Sequence, residues 1–153
     1  MYSHVLVAYD KSEPSRHALT EALNLVKGLD AQVTVIYVAD VPDVKGTVDS
    51  ATAALSDLNQ DGEVNEVDAQ IAYYDEQKQA VTEDIADIVG DSDQVKVLAT
   101  SGKASTAILE LAESSNFDVL IMGARKLGFF EHILGSVSSA VLKESKIPVL
   151  IVK

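Results

Sequence analysis

The chain has 153 residues, 47% of them hydrophobic, which suits one domain with a substantial buried core. Its 24 Asp and Glu outweigh 12 Lys and Arg, and the resulting net charge of -12 argues against nucleic acid or an acidic membrane surface as a partner. Cysteine is absent, which removes disulfides, thiol nucleophiles and thiolate metal sites. No apolar run approaches the roughly 20 residues that cross a bilayer, and Met1 to Asp10 lacks the basic-then-apolar pattern of a leader, so a cytoplasmic protein is expected.

Five short apolar runs punctuate the chain: Val5 to Ala8, Val33 to Val38, Val95 to Ala99, Val119 to Met122 and Val149 to Val152. They are continuous rather than alternating, the signature of strands covered on both faces, as in parallel sheets flanked by helices. Between the first two, Ser12-Glu13-Pro14 opens a helix carrying Ala18, Leu19, Ala22, Leu23, Leu25 and Val26, and Gly28 stops it. The segment 40–65 is polar and far longer than an ordinary connection of roughly 2–6 residues, so it reads as an insert-like loop. From Glu66 to Val89, the residues Val67, Ile71, Tyr74, Val81, Ile85 and Ile88 form one helical stripe. Ala104 to Glu113 and Ser136 to Lys143 supply two further helices, the last before Pro148. The order predicts a single α/β domain over 1–153, a doubly wound parallel sheet of about five strands with right-handed crossovers.

Ligands of such sheets sit beyond the carboxyl ends of the strands, where the strand order reverses. The first strand delivers Ala8, Tyr9 and Asp10 to that edge, followed by Lys11 and Ser12; the fourth delivers Met122, Gly123, Ala124, Arg125 and Lys126. Gly135-Ser136 opens the last helix, where the backbone N–H groups of Gly135, Ser136 and Val137 and the hydroxyls of Ser136 and Ser138 would favour an anion such as phosphate. Arg125 and Lys126 would add cations. The same residues are also compatible with plain tight turns and solvated charges.

The arrangement resembles the universal stress protein family along nearly its whole length: Asp10 with Ser12-Glu13, then Val38-Ala39-Asp40-Val41-Pro42, Ser101-Gly102-Lys103-Ala104, Gly135-Ser136-Val137-Ser138 and Pro148-Val149-Leu150-Ile151-Val152. The resemblance implies a Rossmann-like, adenine nucleotide alpha hydrolase-like fold and a homodimer paired through the C-terminal strand. It also implies an adenine nucleotide (ATP, ADP or AMP, with or without Mg) as ligand of a stress-response regulatory module, and no catalytic residues. The family's nucleotide-binding motif Gly-x2-Gly-x9-Gly-(Ser/Thr) places Ala8 and Asp10 at the adenine or ribose, Val38 and Met122 at the base, Gly123, Arg125 and Lys126 at the ribose and phosphates, and Gly135, Ser136, Val137 and Ser138 at the phosphate chain. Lys126 stands where that motif has its second glycine, and only eight residues, Leu127 to Leu134, precede Gly135. A lysine screens phosphate charge without allowing the backbone approach of a bare Cα. Two readings therefore stand side by side: a nucleotide-binding module, and a ligand-free dimeric protein-interaction module.

A second pattern lies in the long loop. Asp57, Asn59, Asp61, Asn65 and Asp68 occupy positions 1, 3, 5, 9 and 12 of a twelve-residue run, with Gly62 at 6, Glu63 at 7 and Val64 at 8. This resembles an EF-hand calcium loop of the dockerin type, in which Asp57, Asn59, Asp61 and Asp68 would give side-chain oxygens and Glu63 its carbonyl. A chance acidic loop in an acidic chain is the competing reading. His4, His17 and His132 are scattered and read as structural, and the serines lack the nucleophile-elbow context of a hydrolase. Phe129-Phe130 reads as a cover for a ligand or dimer partner. If the loop takes calcium, millimolar Ca2+ raises the melting temperature of the wild type, and Asp57→Ala with Asp61→Ala abolishes the rise; a wild type indifferent to Ca2+ makes the loop a chance acidic turn.

Overall fold

The computed structural model describes residues 1–40, 66–124 and 134–153. Five strands form one parallel sheet: β1 (His4–Tyr9), β2 (Gln32–Ala39), β3 (Val95–Ser101), β4 (Val119–Gly123) and β5 (Val149–Val152), in the order β3-β2-β1-β4-β5. The helices are α1 (Glu13–Val26), α2 (Glu66–Asp84), α3 (Ala86–Val89), α4 (Ala104–Ser114) and α5 (Ser136–Glu144). The continuous apolar runs are explained by the two cores they serve. Val5, Val7, Val33, Val35, Val119 and Ile121 point to a face packed with Ala18, Leu19, Ala22, Val26, Val81 and Ile85. The alternate residues Leu6, Ala8, Ile36, Leu120 and Met122 meet Ile108, Ala112 and Val141 on the other. At roughly 25 cal/mol per Å2 of apolar surface, this two-sided burial is the main stabilising term.

Strand boundaries fall within two residues of those expected, but the stripe expected over 66–89 differs in two ways. Ile71 is exposed, whereas Val81 and Ile85 are fully buried. The Tyr74 hydroxyl bonds Ser101 Oγ at 2.6 Å, which levels Tyr74 with the last residue of β3. At 1.5 Å per residue, the turns before Tyr74 run past the end of the sheet and have no strand to cover. The helix also breaks at Ile85. The Ile88 N–H bonds the Ile85 carbonyl (3.0 Å), and the Asp84 carbonyl accepts instead from Arg16 Nη1 at 2.7 Å.

Arg16 also bonds Asp87 Oδ2 at 2.6 Å, while the Tyr9 hydroxyl donates to Asp84 Oδ2. Burial, then the Asp84 hydrogen bond, pushes the Tyr9 hydroxyl up to about 12. The Arg16 hydrogen bond holds Asp87 below the usual carboxylate range. This network ties the end of β1 and the first turns of α1 to the α2–α3 break. At the opposite end of the strands, Asp118 Oδ2 accepts the Ser3 and His4 N–H groups (2.7 and 2.8 Å), and those backbone bonds lower its pKa. Among the histidines, His17 approaches Glu13 one turn back at 3.4 Å on the exposed face of α1, in keeping with a structural reading.

Candidate functional site

The chain runs from β1 out to β2 and β3 on one side, then crosses to β4 and β5 on the other. The carboxyl ends of β1 and β4 therefore flank the point where strand order reverses, and the loops leaving them diverge to open a crevice. On the β1 side, Asp10 closes a tight turn. Its Oδ1 accepts the Ser12 N–H (3.0 Å) and the Ser12 hydroxyl. Ser12 caps α1, its Oγ accepting from Ser15 N–H at 3.4 Å, while Ser15 Oγ donates to the Ser12 carbonyl at 2.8 Å and accepts the Asp10 N–H at 3.3 Å. Ser12 and Ser15 thus satisfy the first turn of α1 and hold the Asp10 turn against it.

On the β4 side, Gly123 is required for a reason distinct from ligand approach. A Cβ built on it would lie 2.4 Å from the Pro14 carbonyl carbon, 2.5 Å from the Pro14 oxygen and 2.6 Å from the Pro14 Cβ. The first turn of α1 therefore rests directly on the end of β4. The Gly123 carbonyl accepts from Ser138 Oγ at 3.4 Å, which draws the start of α5 to the same point. Gly135 is the N-cap of α5 with extended backbone, and no described side chain caps this terminus. Among the described residues, its first-turn N–H groups have no side-chain acceptor, and a helix start of this kind favours an anion.

These elements enclose a cavity of about 340 Å3 whose lining includes Ala8, Asp10, Val38, Met122, Gly123, Gly135, Ser136, Val137 and Ser138. The volume is within the range of small-molecule sites. Ala8, Ile36, Val38, Ile108 and Met122 make it apolar on the sheet side, Asp10 and Asp40 stand on the β1–β2 side, and the α5 terminus lies on the β4 side. The structure thus gathers the expected nucleotide residues that it describes; Arg125 and Lys126 lie outside the described residues. Asp57, Asn59, Asp61 and Glu63 also lie outside them, and Asp68 is exposed on α2. Among the described residues no cluster of three metal-binding side chains occurs.

Sequence reasoning overlooked Ser15, Ile36, Tyr37 and Ile108 as lining residues. Ile36 was accessible from the period of two, since it shares a sheet face with Val38. Tyr37 carries no such signal. A more open groove of about 670 Å3, bordered by Leu98, Thr100, Ser101, Lys103 and Glu110, lies along β3 and α4 and meets the crevice only at Ile36. It contains none of the expected nucleotide residues.

A family model described as the universal stress protein family matches residues 1–153. The chain belongs to the universal stress protein family. It is 30% identical to universal stress protein MJ0577 of Methanocaldococcus jannaschii over 100% of this chain and 96% of that protein. The solved structure of MJ0577 superposes with a TM-score of 0.72 at 26% identity, covering 100% of this chain and 96% of its own. A universal stress protein from Archaeoglobus fulgidus in complex with dAMP has a TM-score of 0.61 at 17% identity, with 99% and 98% coverage. Another, in complex with cAMP, gives 0.61 at 20% identity, with 99% and 96% coverage. These last two show the shared fold. No helix among the described residues is long and apolar enough to cross a membrane.

The Gly123–Pro14 approach yields a direct expectation for this universal stress protein. Gly123→Ala must push α1 away from β4 and should destabilise the fold by about 1–3 kcal/mol, the usual range for overpacking. Thermal unfolding measures it; a melting temperature equal to that of the wild type would contradict the packing role of this glycine.

Proposed function

We propose that this universal stress protein is a cytoplasmic regulatory module that binds an adenine nucleotide in the crevice between β1 and β4. The observation that carries the reading is the pairing, in one cavity, of an apolar wall made by Ala8, Val38 and Met122 with the start of α5, which no described side chain caps. A base stacks against the first, and phosphate oxygens accept from the second, where the N–H groups and the helix dipole favour negative charge. In a chain of net charge -12, these neutral donors attract an anion locally without an overall basic surface. Arg125 and Lys126, from the segment after β4, would add charge at the phosphates, and Mg would accompany a triphosphate. The dAMP and cAMP complexes of other members support a nucleotide of the adenine class.

The role is binding rather than catalysis. Asp10, the carboxylate that β1 brings to the cavity, is committed through Oδ1 to Ser12, which suits holding a turn better than activating water. The module is a homodimer through β5. That strand is one edge of the sheet, Leu150 on it is 43% exposed and Leu142 on the adjacent α5 is 47% exposed. Two-fold pairing of β5 with its copy would be antiparallel, would remove the open edge and would cover these leucines. The alternative, a ligand-free interaction module, is favoured by two features, Lys126 in place of the motif's second glycine and the eight-residue spacing from there to Gly135.

Calorimetric titration of ligand-stripped protein, with light scattering on the same sample, separates the readings. Saturable binding of ATP to a dimer is expected. Ser136→Pro provides the site control: proline suits the first turn of a helix, and Gly135 at ψ 161° already has the backbone that precedes a proline. This variant should keep the wild-type melting temperature while losing one N–H and one hydroxyl, weakening ATP about tenfold or more, the usual worth of a hydrogen bond to a charged group. A folded dimer that takes no adenine nucleotide would select the interaction module.

A further inference from the structure

Lys11, immediately after Asp10, has φ of 66° and is, among the described residues, the non-glycine residue with positive φ. An unbranched lysine gains nothing in this region that glycine would not reach more cheaply. Residues held in sparsely populated backbone regions persist where their surroundings restrain them. The restraint here is visible: Lys11 Nζ stands 4.9 Å from the centroid of the Tyr37 ring, within cation–π range. Among the described residues no carboxylate forms an ion pair with Lys11, although the chain carries 24 Asp and Glu. The ammonium is seated on an aromatic face instead.

That face belongs to the cavity. Tyr37, near the carboxyl end of β2, lines it together with Asp10, Ser12 and Asp40. Tyr37 is half-buried, as is Tyr73 of α2, whose hydroxyl is held above its usual pKa first by burial and then by Tyr37, Tyr74 and Asp40. Tyr73 in turn packs edge-on against Tyr74, which is anchored on Ser101. The ring under Lys11 is carried by β2, inside the sheet between β3 and β1.

We infer that Lys11 is a positioning residue: its ammonium, seated on Tyr37, pins the left-handed turn that holds Asp10 and Ser12 at the cavity before a ligand arrives. A glycine would satisfy φ without this tie; the lysine accepts backbone strain and in return couples the β1–α1 loop to β2. Preorganisation of this kind lowers the ordering cost that binding would otherwise meet. The consequence for nucleotide affinity rests on the function proposed above, whereas the pin itself does not.

The test reads both separately in the full-length protein. Amide hydrogen exchange at Ser12, the N–H that Asp10 accepts, is measured without ligand, and ATP affinity by calorimetry, for Lys11→Met, Lys11→Gly, Lys11→Arg, Tyr37→Leu and the Lys11→Met/Tyr37→Leu pair. A cation–π contact of exposed strength corresponds to about two- to fivefold. Exchange at Ser12 should rise by that factor in Lys11→Met, Lys11→Gly and Tyr37→Leu, no further in the pair, and return to the wild-type rate in Lys11→Arg. The ATP dissociation constant should rise in parallel. Lys11→Gly should melt at or above the wild-type temperature, because its backbone is relieved; a merely structural lysine would not combine equal or higher stability with faster local exchange. Wild-type exchange in Lys11→Gly, or effects of Lys11→Met and Tyr37→Leu that multiply in the pair, would overturn the pin. The predicted exchange pattern in a wild type that takes up no ATP would uphold the pin and remove the nucleotide reading.

Discussion

The crevice depends on a contact between backbones. Pro14, in the first turn of α1, lies so close to Gly123 at the end of β4 that no side chain fits between them. This contact sets the start of α1 between β1 and β4, and Ser138 ties α5 to the same glycine through its carbonyl. Three elements distant in sequence thereby meet around one residue. Close packing makes such a point intolerant of even one added carbon. Asp10, Ser12 and Ser15 complete the arrangement from the other side, Asp10 taking the Ser12 N–H and Ser12 the Ser15 N–H, while no described side chain caps the start of α5.

The contrast between the two helix starts gives the site its direction. At α1 the Ser15 N–H is taken by Ser12 within the protein, Pro14 has no N–H to offer, and the Asp10 carboxylate accepts from the same turn. At α5 the cap is a glycine without a side chain, and no described side chain takes the corresponding donors. With an apolar wall from β1, β2 and β4 between them, the cavity presents a dry surface at one end and polar donors at the other. That asymmetry matches a molecule with a flat apolar part and an anionic part, and it requires no general base.

Much of this was legible in the sequence because it is encoded locally. Continuous Val, Ile and Leu runs announced two-sided burial, Ser12-Glu13-Pro14 announced a helix start, and Gly135-Ser136 announced an uncapped one. What escaped was set by tertiary geometry. The buried stripe over 66–89 failed at Ile71 because the helix outruns the sheet, and the break at Ile85 follows from Arg16, far away in sequence, taking the Asp84 carbonyl. Gly123 lines the cavity, and the close approach of Pro14 to it carries no signal in the sequence. Tyr37 and Lys11 became visible only in three dimensions, since neither the period of the strand nor any motif brings them together. The residues expected to hold calcium, other than Asp68, and the cations Arg125 and Lys126 lie outside the described residues.

The central claim is that the β1–β4 crevice, and not the larger groove beside β3, is the binding site. Nuclear magnetic resonance of isotopically labelled protein titrated with ATP tests it most directly. Saturable shifts centred on Ala8, Asp10, Met122, Ser136 and Val137 are expected, with Leu98, Lys103 and Glu110 unmoved. Shifts centred on those groove residues, or none at any residue, would contradict it.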